Sequence, residues 1–290
     1  MILVFGSVNI DVLVPVPHLP VPGETVLGGD YALLPGGKGA NQALAARRAG
    51  AAVAMAGAVG NDGFAEVALA GLRRDGVDLG LVRRVARPTG CAAIMVGGDG
   101  ENVIAVASGA NHDAVSAGVP EALLAPDTLV LCQMEVPLGE NAALLHRARA
   151  AGSRTVLNLA PAAPIAAELL AAIDILVANE GEAASLGDDP AAVAGRLRHA
   201  LVTRGAAGCL TFLADGRRIE TPALTLEPVD TTGAGDTFTG VLAAGLDERL
   251  PLDLALRRAS AAAGLACLAH GAQSAMPSRT AIDEAVRRLP

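Results

Sequence analysis

The stretch from Val229 to Phe238 holds residues that could do chemistry, and it reads Val-Asp-Thr-Thr-Gly-Ala-Gly-Asp-Thr-Phe. A Gly-Ala-Gly run at residues 233–235, at the start of a helix, lets several backbone N–H groups converge on one anion, and the helix dipole adds positive potential there. Asp236 would lie in the first helical turn, where its carboxylate can accept a proton from an incoming hydroxyl. An Asp-capped helix with a glycine-rich entry is the alternative. The spacing favours a phosphate site beside a catalytic base.

A second glycine-rich stretch, residues 35–43, reads Pro-Gly-Gly-Lys-Gly-Ala-Asn-Gln-Ala. It lacks the pattern of a P-loop, because position 32 is Ala rather than Gly and Gly follows the lysine where Ser or Thr is needed. The first predicted strand is not followed by Gly-x-Gly-x-x-Gly, so NAD binding is disfavoured. What remains is a turn into a helix whose first turn presents Lys38 and Asn41 for hydrogen bonds to a small polyol. A tight turn with an exposed lysine explains the stretch equally well.

Three shorter patterns are weaker signals. Asn9 and Asp11 follow the first predicted strand and alternate onto one face, where they could meet a ligand, although Asn-x-Asp is more often turn chemistry. Asn179 and Glu182 open a helix and could organise Mg²⁺ and phosphate, but a capping box is the more common role of this pattern. The turn at 203–208 could bring backbone close to a nucleotide, and it could equally be a hairpin turn.

Short apolar runs that alternate with Ala/Leu-rich stretches of helical length must position these residues. The predicted strands lie at 2–5, 53–57, 128–134, 155–159, 173–178, 200–203 and 209–213. Helices are predicted at 40–49, before Gly50, and at 141–151, before Gly152. This alternation is typical of βαβ units, so we expect an α/β fold with a mostly parallel sheet.

Two segments interrupt this alternation. Residues 11–34 contain too many prolines for a central strand or a helix, and residues 90–107 have the pattern of a β-hairpin around Gly-Gly-Asp-Gly. Together they could form a small second sheet. Ligands of open α/β sheets bind at the carboxyl ends of the strands, so such a sheet could act as a lid. We expect one catalytic domain over residues 1–290, with a discontinuous β lid formed by about 11–34 and 90–107.

Composition excludes several classes of function. The 290 residues carry a net charge of −8 and five aromatic side chains, four Phe and one Tyr, which argues against nucleic acid as a partner. No apolar run has the length of a membrane span, so we expect no membrane partner. The chain enters a strand at once, without a signal-peptide pattern, which predicts a cytoplasmic protein. Its cysteines lie far apart and are expected to be reduced; they are Cys91, Cys132, Cys209 and Cys267.

The motifs together, in their order, resemble those of the PfkB-type sugar kinases, and the stretch at 36–43 resembles the ribokinase branch of that family. The resemblance runs from about residue 1 to 278 and also includes Gly6-Ser7-Val8-Asn9-Ile10-Asp11, Pro22-Gly23-Glu24-Thr25 and Gly100-Glu101-Asn102-Val103-Ile104. It implies a ribokinase-like three-layer α/β/α sandwich with a small β-sheet lid, through which these kinases form homodimers. It also implies ATP-dependent phosphorylation of D-ribose on its 5-hydroxyl.

The resemblance further implies roles for individual residues. Asp236 would be the catalytic base, and the backbone of Gly233, Ala234 and Gly235 would form the anion hole. The positions that match sugar contacts are Asn9, Asp11, Gly37, Lys38, Asn41, Glu135 and Asp236. Those that match ATP contacts are Asn179, Thr203, Arg204, Gly205, Ala206, Ala207, Gly208 and Gly235. Since aromatic residues are scarce, we expect aliphatic side chains and backbone to sandwich the adenine.

Two cations are implied as well. Glu182 belongs to a motif that organises Mg²⁺ indirectly. A K⁺ activator would be held mostly by backbone carbonyls at positions matching Asp230, Thr232, Ala266, Ala269, Gly271 and Ala275. Ala275 departs from the usual Ser of the family, which removes one side-chain oxygen.

Alternative functions remain open at this point. A kinase for deoxyribose, a fructose-type furanose or a nucleoside would share Asp236 and differ in the sugar pocket. A non-catalytic sugar sensor would retain the fold but lose the base or the anion hole, and both are intact here. A hydrolase is disfavoured because no Gly-x-Ser-x-Gly or His-Glu-x-x-His pattern is present.

Overall fold

The computed structural model describes residues 1–187 and 189–289. In these residues the main sheet has nine strands in the order β13-β12-β11-β10-β9-β8-β1-β4-β5. The strand bounds are β1 Ile2–Phe5, β2 Asn9–Pro15, β3 Ala32–Gly36, β4 Val53–Gly60, β5 Asp78–Val85, β6 Gly90–Val96, β7 Asn102–Ala107, β8 Leu129–Cys132, β9 Arg154–Asn158, β10 Ile175–Asn179, β11 His199–Thr203, β12 Cys209–Leu213 and β13 Arg218–Thr221.

The α-helices connect these strands and pack on the two faces of the main sheet. Their bounds are α1 Lys38–Arg48, α2 Gly63–Arg74, α3 Leu138–Ala150, α4 Ala167–Leu170, α5 Glu180–Ala184, α6 Pro190–Ala194, α7 Ala234–Asp247, α8 Leu252–Ala266, α9 Ala272–Ala275 and α10 Arg279–Val286.

Strand β1 shows how the alternating side chains separate two cores. Ile2 and Val4 point into the core shared with α1, α2, α7 and α8, whereas Leu3 and Phe5 point into the core shared with α3 and α4. Helices therefore cover both faces of the sheet. The predicted three-layer α/β/α sandwich is confirmed.

Parallel pairing runs from β5 through β1 to β11, and the last two strands, β12 and β13, are antiparallel. The mostly parallel sheet is confirmed. Two of its strands, β5 and β13, lie outside the predicted runs, and they are the two edge strands of the sheet. Strand β5 (Asp-Leu-Gly-Leu-Val-Arg-Arg-Val) and the four-residue β13 mix charged with apolar side chains, so neither gives the apolar signal of a buried strand.

A second sheet of four strands, in the order β3-β2-β6-β7, is built from the two segments that interrupt the alternation. The hairpin of β6 and β7 lies where 90–107 predicts it, with Val96 opposite Asn102. The segment 11–34 supplies strands only at its two ends, and β2 begins two residues earlier, at Asn9. The predicted small sheet is confirmed, but Asn9 and Asp11 lie within it rather than at the end of β1.

Helix α1 packs unusually close to helix α7, and Gly240 makes this approach possible. A Cβ atom at Gly240 would lie 2.4 Å from the carbonyl oxygen of Gln42 and 2.7 Å from the Cβ of Ala45. Only a glycine fits such a contact between helix backbones. The second turn of α7 thereby packs directly against residues 42–46 of α1. In the residues described, no helix is both long and apolar enough to cross a membrane.

Candidate active site

Asp236 lies at the third position of α7 and is buried. Its Oδ2 accepts a hydrogen bond of 2.9 Å from Asn41 Nδ2, and its Oδ1 accepts one of 2.9 Å from Gln42 Nε2. Burial raises the pKa of this carboxyl, while the charge of Lys38 and the two amide donors lower it. Asp236 does not cap its own helix, so the capping alternative is wrong. The arrangement is that of a carboxylate held ready to accept a proton.

The glycine-rich turn before Asp236 is a helix entry without a side-chain cap. Gly233 is the N-cap residue with φ of 75°, and a Cβ there would lie 2.7 Å from the Cβ of Ala272. The N–H of Ala234 donates to Thr231 O at 3.2 Å, and that of Thr237 donates to Gly233 O at 2.8 Å. The N–H of Gly235, at the second position of α7, belongs to the first helical turn, whose N–H groups have no acceptor within the helix and can bind an anion.

The amino terminus of α1 and strand β2 bring the predicted sugar contacts together. Gly37 has φ of 89°, and a Cβ there would lie 2.7 Å from the backbone nitrogen of Asn9. The side chain of Asn9 is oriented by Asn111, whose Nδ2 donates to Asn9 Oδ1 at 2.7 Å. Glu135 Oε2 accepts hydrogen bonds from Ser7 Oγ at 2.6 Å and from the N–H of Lys38 at 3.1 Å. Glu135 therefore caps α1 as well as lying at the predicted sugar site.

Asp11 is a half-buried carboxyl at the same place. Gly36 leaves room for it, because a Cβ at Gly36 would lie 2.5 Å from Asp11 Oδ2. Burial, with the neighbouring carboxyls of Glu135 and Asp236, raises the pKa of Asp11 to about 6, and Lys38 opposes the shift. Asp11 consequently changes charge within the ordinary working range of pH.

A polar pocket lies between Lys38, Asp236 and the amino terminus of α5. Lys38 lines this pocket, so an exposed lysine in a tight turn is the wrong interpretation of residues 35–43. Asn179 and Glu182 form the predicted capping box: Asn179 Oδ1 accepts from the N–H of Glu182, and Glu182 Oε2 accepts from the N–H of Asn179, both at 2.8 Å. Burial raises the pKa of Glu182, against the hydrogen bond from Asn179 and the charge of Lys38. The same two residues line the pocket, so capping and ligand contact are compatible.

An apolar pocket of about 230 Å³ adjoins the polar one. Its walls include Leu224, Leu226 and Ala263, as expected for an aliphatic nucleotide site, but Phe238 also lines it. The turn at 203–208 forms one side, and the structure makes that turn a hairpin, because β11 and β12 pair antiparallel with Thr203 opposite Cys209. Thr203 and Gly235 line both pockets. A ligand with an apolar head and an anionic tail could extend from one pocket to the other.

Asp230 meets the start of α9 and brings together three of the positions that match a K⁺ site, Asp230, Thr232 and Gly271. Its Oδ2 accepts from the N–H of Gly271 at 2.8 Å, and its Oδ1 accepts from Thr232 N at 2.9 Å and Thr232 Oγ1 at 2.6 Å. Although burial raises the pKa of Asp230, these hydrogen bonds lower it overall. Ala266 ends α8, Ala269 lies in the connecting loop, and Ala275 ends α9. Residues 1–187 and 189–289 contain no cluster of three or more His, Cys, Asp or Glu side chains that could hold a metal ion.

Several polar residues of the site were missed by the sequence analysis. Gln42 contacts Asp236 directly, and Ser7 contacts Glu135. Asn111 donates to Asn9, whereas Gln133 and Asn158 are both hydrogen-bonded to Gln42. Gln42 lies next to Asn41 in a stretch already selected, so its position was a usable signal. The other three follow no motif, and only the packing identifies them.

The comparisons with known proteins agree with this geometry. The family model described as pfkB family carbohydrate kinase matches residues 1–279. Ribokinase of Bacillus subtilis (strain 168) is 36% identical over 288 residues, 98% of each chain, and that of Haemophilus influenzae is 37% identical over 291 residues, 95% of each chain. The solved structure of Arabidopsis thaliana ribokinase complexed with ribose and ATP is similar with a TM-score of 0.89 and 32% identity, covering 99% of this chain and 98% of that one.

Proposed function

The chain belongs to the pfkB family of carbohydrate kinases, and from that premise we propose that it transfers the terminal phosphoryl group of ATP to the 5-hydroxyl of D-ribose. The observation that carries the proposal is the place of Asp236. Its carboxylate lies at the start of α7, where the apolar pocket, the polar pocket and the predicted sugar contacts meet. Relatives named ribokinase that match almost the whole chain support ribose as the sugar.

In the proposed reaction the protein positions the substrates and stabilises charge, which is how most phosphoryl transfer is catalysed. Asn9, Asp11, Lys38 and Asn41 would bind the sugar hydroxyls. Asp236 would take the proton of the attacking hydroxyl as its oxygen bonds to the terminal phosphorus and the bond to the bridging oxygen of ADP breaks. The N–H groups of Gly233 and Gly235, together with the dipole of α7, would stabilise the charge on the transferred group, whereas the N–H of Ala234 already donates to Thr231 O.

ATP would lie across the two adjoining pockets. We infer that its adenine occupies the apolar pocket, between aliphatic side chains and backbone, with Asn179 and the turn residues Thr203, Arg204, Gly205, Ala206, Ala207 and Gly208 around the nucleotide. Gly235 would lie beside the phosphates. Ala206 has no hydroxyl, so the turn would contact phosphate through its backbone.

A divalent metal accompanies ATP in this family, and we infer Mg²⁺. The polar pocket fits such an ion, because Mg²⁺ bound with ATP takes most of its ligands from phosphate and water and needs only one or two carboxylates. Glu182 would organise the ion indirectly, since one of its oxygens is engaged in the capping box. When bound, the ion would neutralise charge on the phosphates.

We also infer K⁺ as an activator near Asp230. The donors would be oxygens, a carboxylate and Thr232 with the backbone carbonyls of Ala266, Ala269, Gly271 and Ala275, and such hard donors suit K⁺. Ala275 supplies only its carbonyl. We therefore expect weaker dependence on K⁺ than in a protein with Ser at this position.

A panel of sugars tests the proposed function. Purified protein with ATP and Mg²⁺, with and without K⁺, would be assayed on ribose, deoxyribose, fructose and a nucleoside. We expect the highest kcat/KM for ribose, because a site that hydrogen-bonds each hydroxyl rejects a sugar that lacks one. If kcat/KM is higher for another sugar or for a nucleoside, that compound and not ribose is the substrate. Sugar binding without any phosphoryl transfer would instead indicate a sensor.

Asp11 gives the affinity for sugar a predictable pH dependence. Its pKa is about 6 in the free protein, and protonation removes an acceptor for a sugar hydroxyl. We expect the Kd for ribose to be constant above this pKa and to rise below it, by at most about tenfold per pH unit for a single proton. Calorimetry without ATP measures this separately from the chemical step. In Asp11→Asn the Kd should be higher and its dependence on pH near 6 should disappear; an unchanged pH dependence would assign it to another group.

We further propose that the four-stranded sheet is a lid over the sugar and also the contact of a homodimer. Strand β7 is an edge strand, and apolar side chains on this sheet and in its connecting segment are exposed: Leu27, Tyr31, Val103, Ile104 and Val106. An exposed apolar edge is a surface that proteins cover by pairing. If sedimentation equilibrium gave the molecular mass of a single chain, the dimer would be contradicted.

We also infer a cytoplasmic location, which the four free cysteines and the use of ATP support.

A further inference from the structure

The two oxygens of the Asp236 carboxylate each receive one amide N–H. Asn41 donates to Oδ2 and Gln42 to Oδ1, both at 2.9 Å, and the two donors are consecutive residues of α1. A carboxylate hydrogen-bonded on both oxygens cannot rotate about its last bond without losing both donors. The orientation of the group is therefore determined by α1.

Each of these two amides is in turn oriented by a glutamine. Gln133 Nε2 donates to Gln42 Oε1 at 2.8 Å, and Gln273 Nε2 donates to Asn41 Oδ1 at 3.1 Å. All four amide side chains and Asp236 are buried. An amide whose oxygen is held by a donor must present its NH₂ group elsewhere, and here it is presented to the carboxylate. The network thus excludes the flipped amide, which would place an oxygen against the carboxylate.

The side chain of Gln42 has no access to a ligand. It is fully buried, and its second N–H donates to Asn158 Oδ1 at 2.9 Å, so both of its hydrogens and its oxygen are engaged inside the protein. Asn158 is fixed by its own donation to Val177 O at 3.1 Å. Gln42 can therefore act on the reaction only through the side chains that it contacts, and of these Asp236 and Asn158 line the polar pocket.

We propose that Gln42 is a positioning residue for phosphoryl transfer: its amide, fixed by Gln133 and Asn158, holds Asp236 in the orientation and the charged form in which it can accept the proton of the sugar. This inference rests on the proposed function for its chemical meaning. The contacts that carry it are independent of which sugar or nucleotide is bound.

Several charged groups around Asp236 also influence the pKa of its carboxyl. Lys38 on α1 favours the carboxylate, whereas Glu135, Asp11 and Glu182 disfavour it from the loop after β8, from β2 and from α5. Removing the Gln42 donor takes away one of the few interactions that favour the charged form in a buried place. The pKa of Asp236 should therefore rise.

The test compares Gln42→Met, which retains the length of the side chain and removes its donors, with the wild type. At saturating ribose and ATP we expect kcat to fall by about 10- to 100-fold, and its acid limb to move up by about one pH unit or more, as for a lost hydrogen bond to a charged group. The KM for ribose should change little, since Gln42 does not contact the sugar. Thr155→Val is the matched control, because Thr155 is equally buried and its hydroxyl donates to Ala172 O at 2.8 Å and accepts from the backbone N–H of Asp174 at 2.9 Å, not from a residue of the site. This control should lose stability and keep the wild-type pH profile.

A second variant and a second measurement keep the inference falsifiable. Gln133→Met leaves both donors to Asp236 in place but releases the Gln42 amide, and a smaller fall in kcat with a shift in the same direction is expected. Carbon-13 NMR of aspartate-labelled protein, with Asp236→Asn to assign the signal, follows the Asp236 carboxyl without any reaction. If the wild type transfers phosphate and Gln42→Met retains its kcat and its pH profile, the positioning role is wrong and the proposed function stands. If the wild type transfers no phosphate, the proposed function fails and the inference is tested by NMR alone. In that case an Asp236 pKa in Gln42→Met equal to that of the wild type overturns the inference.

Discussion

Replacing Asp236 with Asn should lower kcat by about 10²- to 10⁴-fold, the usual contribution of a general base. The substitution conserves size and removes the carboxylate to which Asn41 and Gln42 donate. Steady-state kinetics with ribose and ATP measure the loss, and calorimetry measures whether ribose still binds. We expect a Kd for ribose close to that of the wild type, because the interaction removed acts in the transition state.

The Asn variant also has a defined structural cost. One of its two polar atoms is an NH₂ group, which must face one of the two amide donors, so one hydrogen bond is lost. The expected loss of stability is about 1 kcal/mol, the net contribution of one hydrogen bond. A thermal melt distinguishes this small change from unfolding. If Asp236→Asn kept more than about a tenth of the wild-type kcat, Asp236 would not be the general base.

Replacing Gly235 with Ala should lower turnover without lowering stability. A Cβ at Gly235 meets no atom within 4 Å, and this residue lines both the apolar and the polar pocket. The added methyl group would lie where the phosphates of ATP must pass. Misplacement of a reacting group by about 1 Å can cost about 10²-fold in rate, and we expect a fall of that size in kcat/KM for ATP. The melting temperature should stay the same or rise, because Ala is the better helix former.

Gly139→Ala is the matched control for this variant. Gly139 is likewise at the second position of a helix, α3, and a Cβ there meets no atom within 4 Å. It should show the same effect on melting temperature and wild-type kinetics. Equal kinetics for the Gly235 and Gly139 variants would mean that the phosphates do not pass over the start of α7.

The local elements of the site follow from the amino-acid sequence alone. The Gly-Ala-Gly run, followed immediately by Asp236, specifies a helix entry because the left-handed conformation of residue 233 favours glycine. The apolar runs determined most strands of the main sheet, since burial on both faces demands continuous apolar residues. The apolar runs do not include β5 and β13, because these edge strands mix charged with apolar side chains and lack a continuous apolar run.

Which side chains surround Asp236 depends on contacts between distant parts of the chain. Gln42 and Asp236 are separated by 194 positions in the chain, and their contact depends on the close approach of α1 to α7 at Gly240. Gln133 and Asn158 come to the same place because the carboxyl ends of parallel strands meet at one edge of the sheet. Spacing along a chain fixes a helix and its cap, whereas the orientation of a buried carboxylate is fixed by donors from several elements that meet only when the chain has folded.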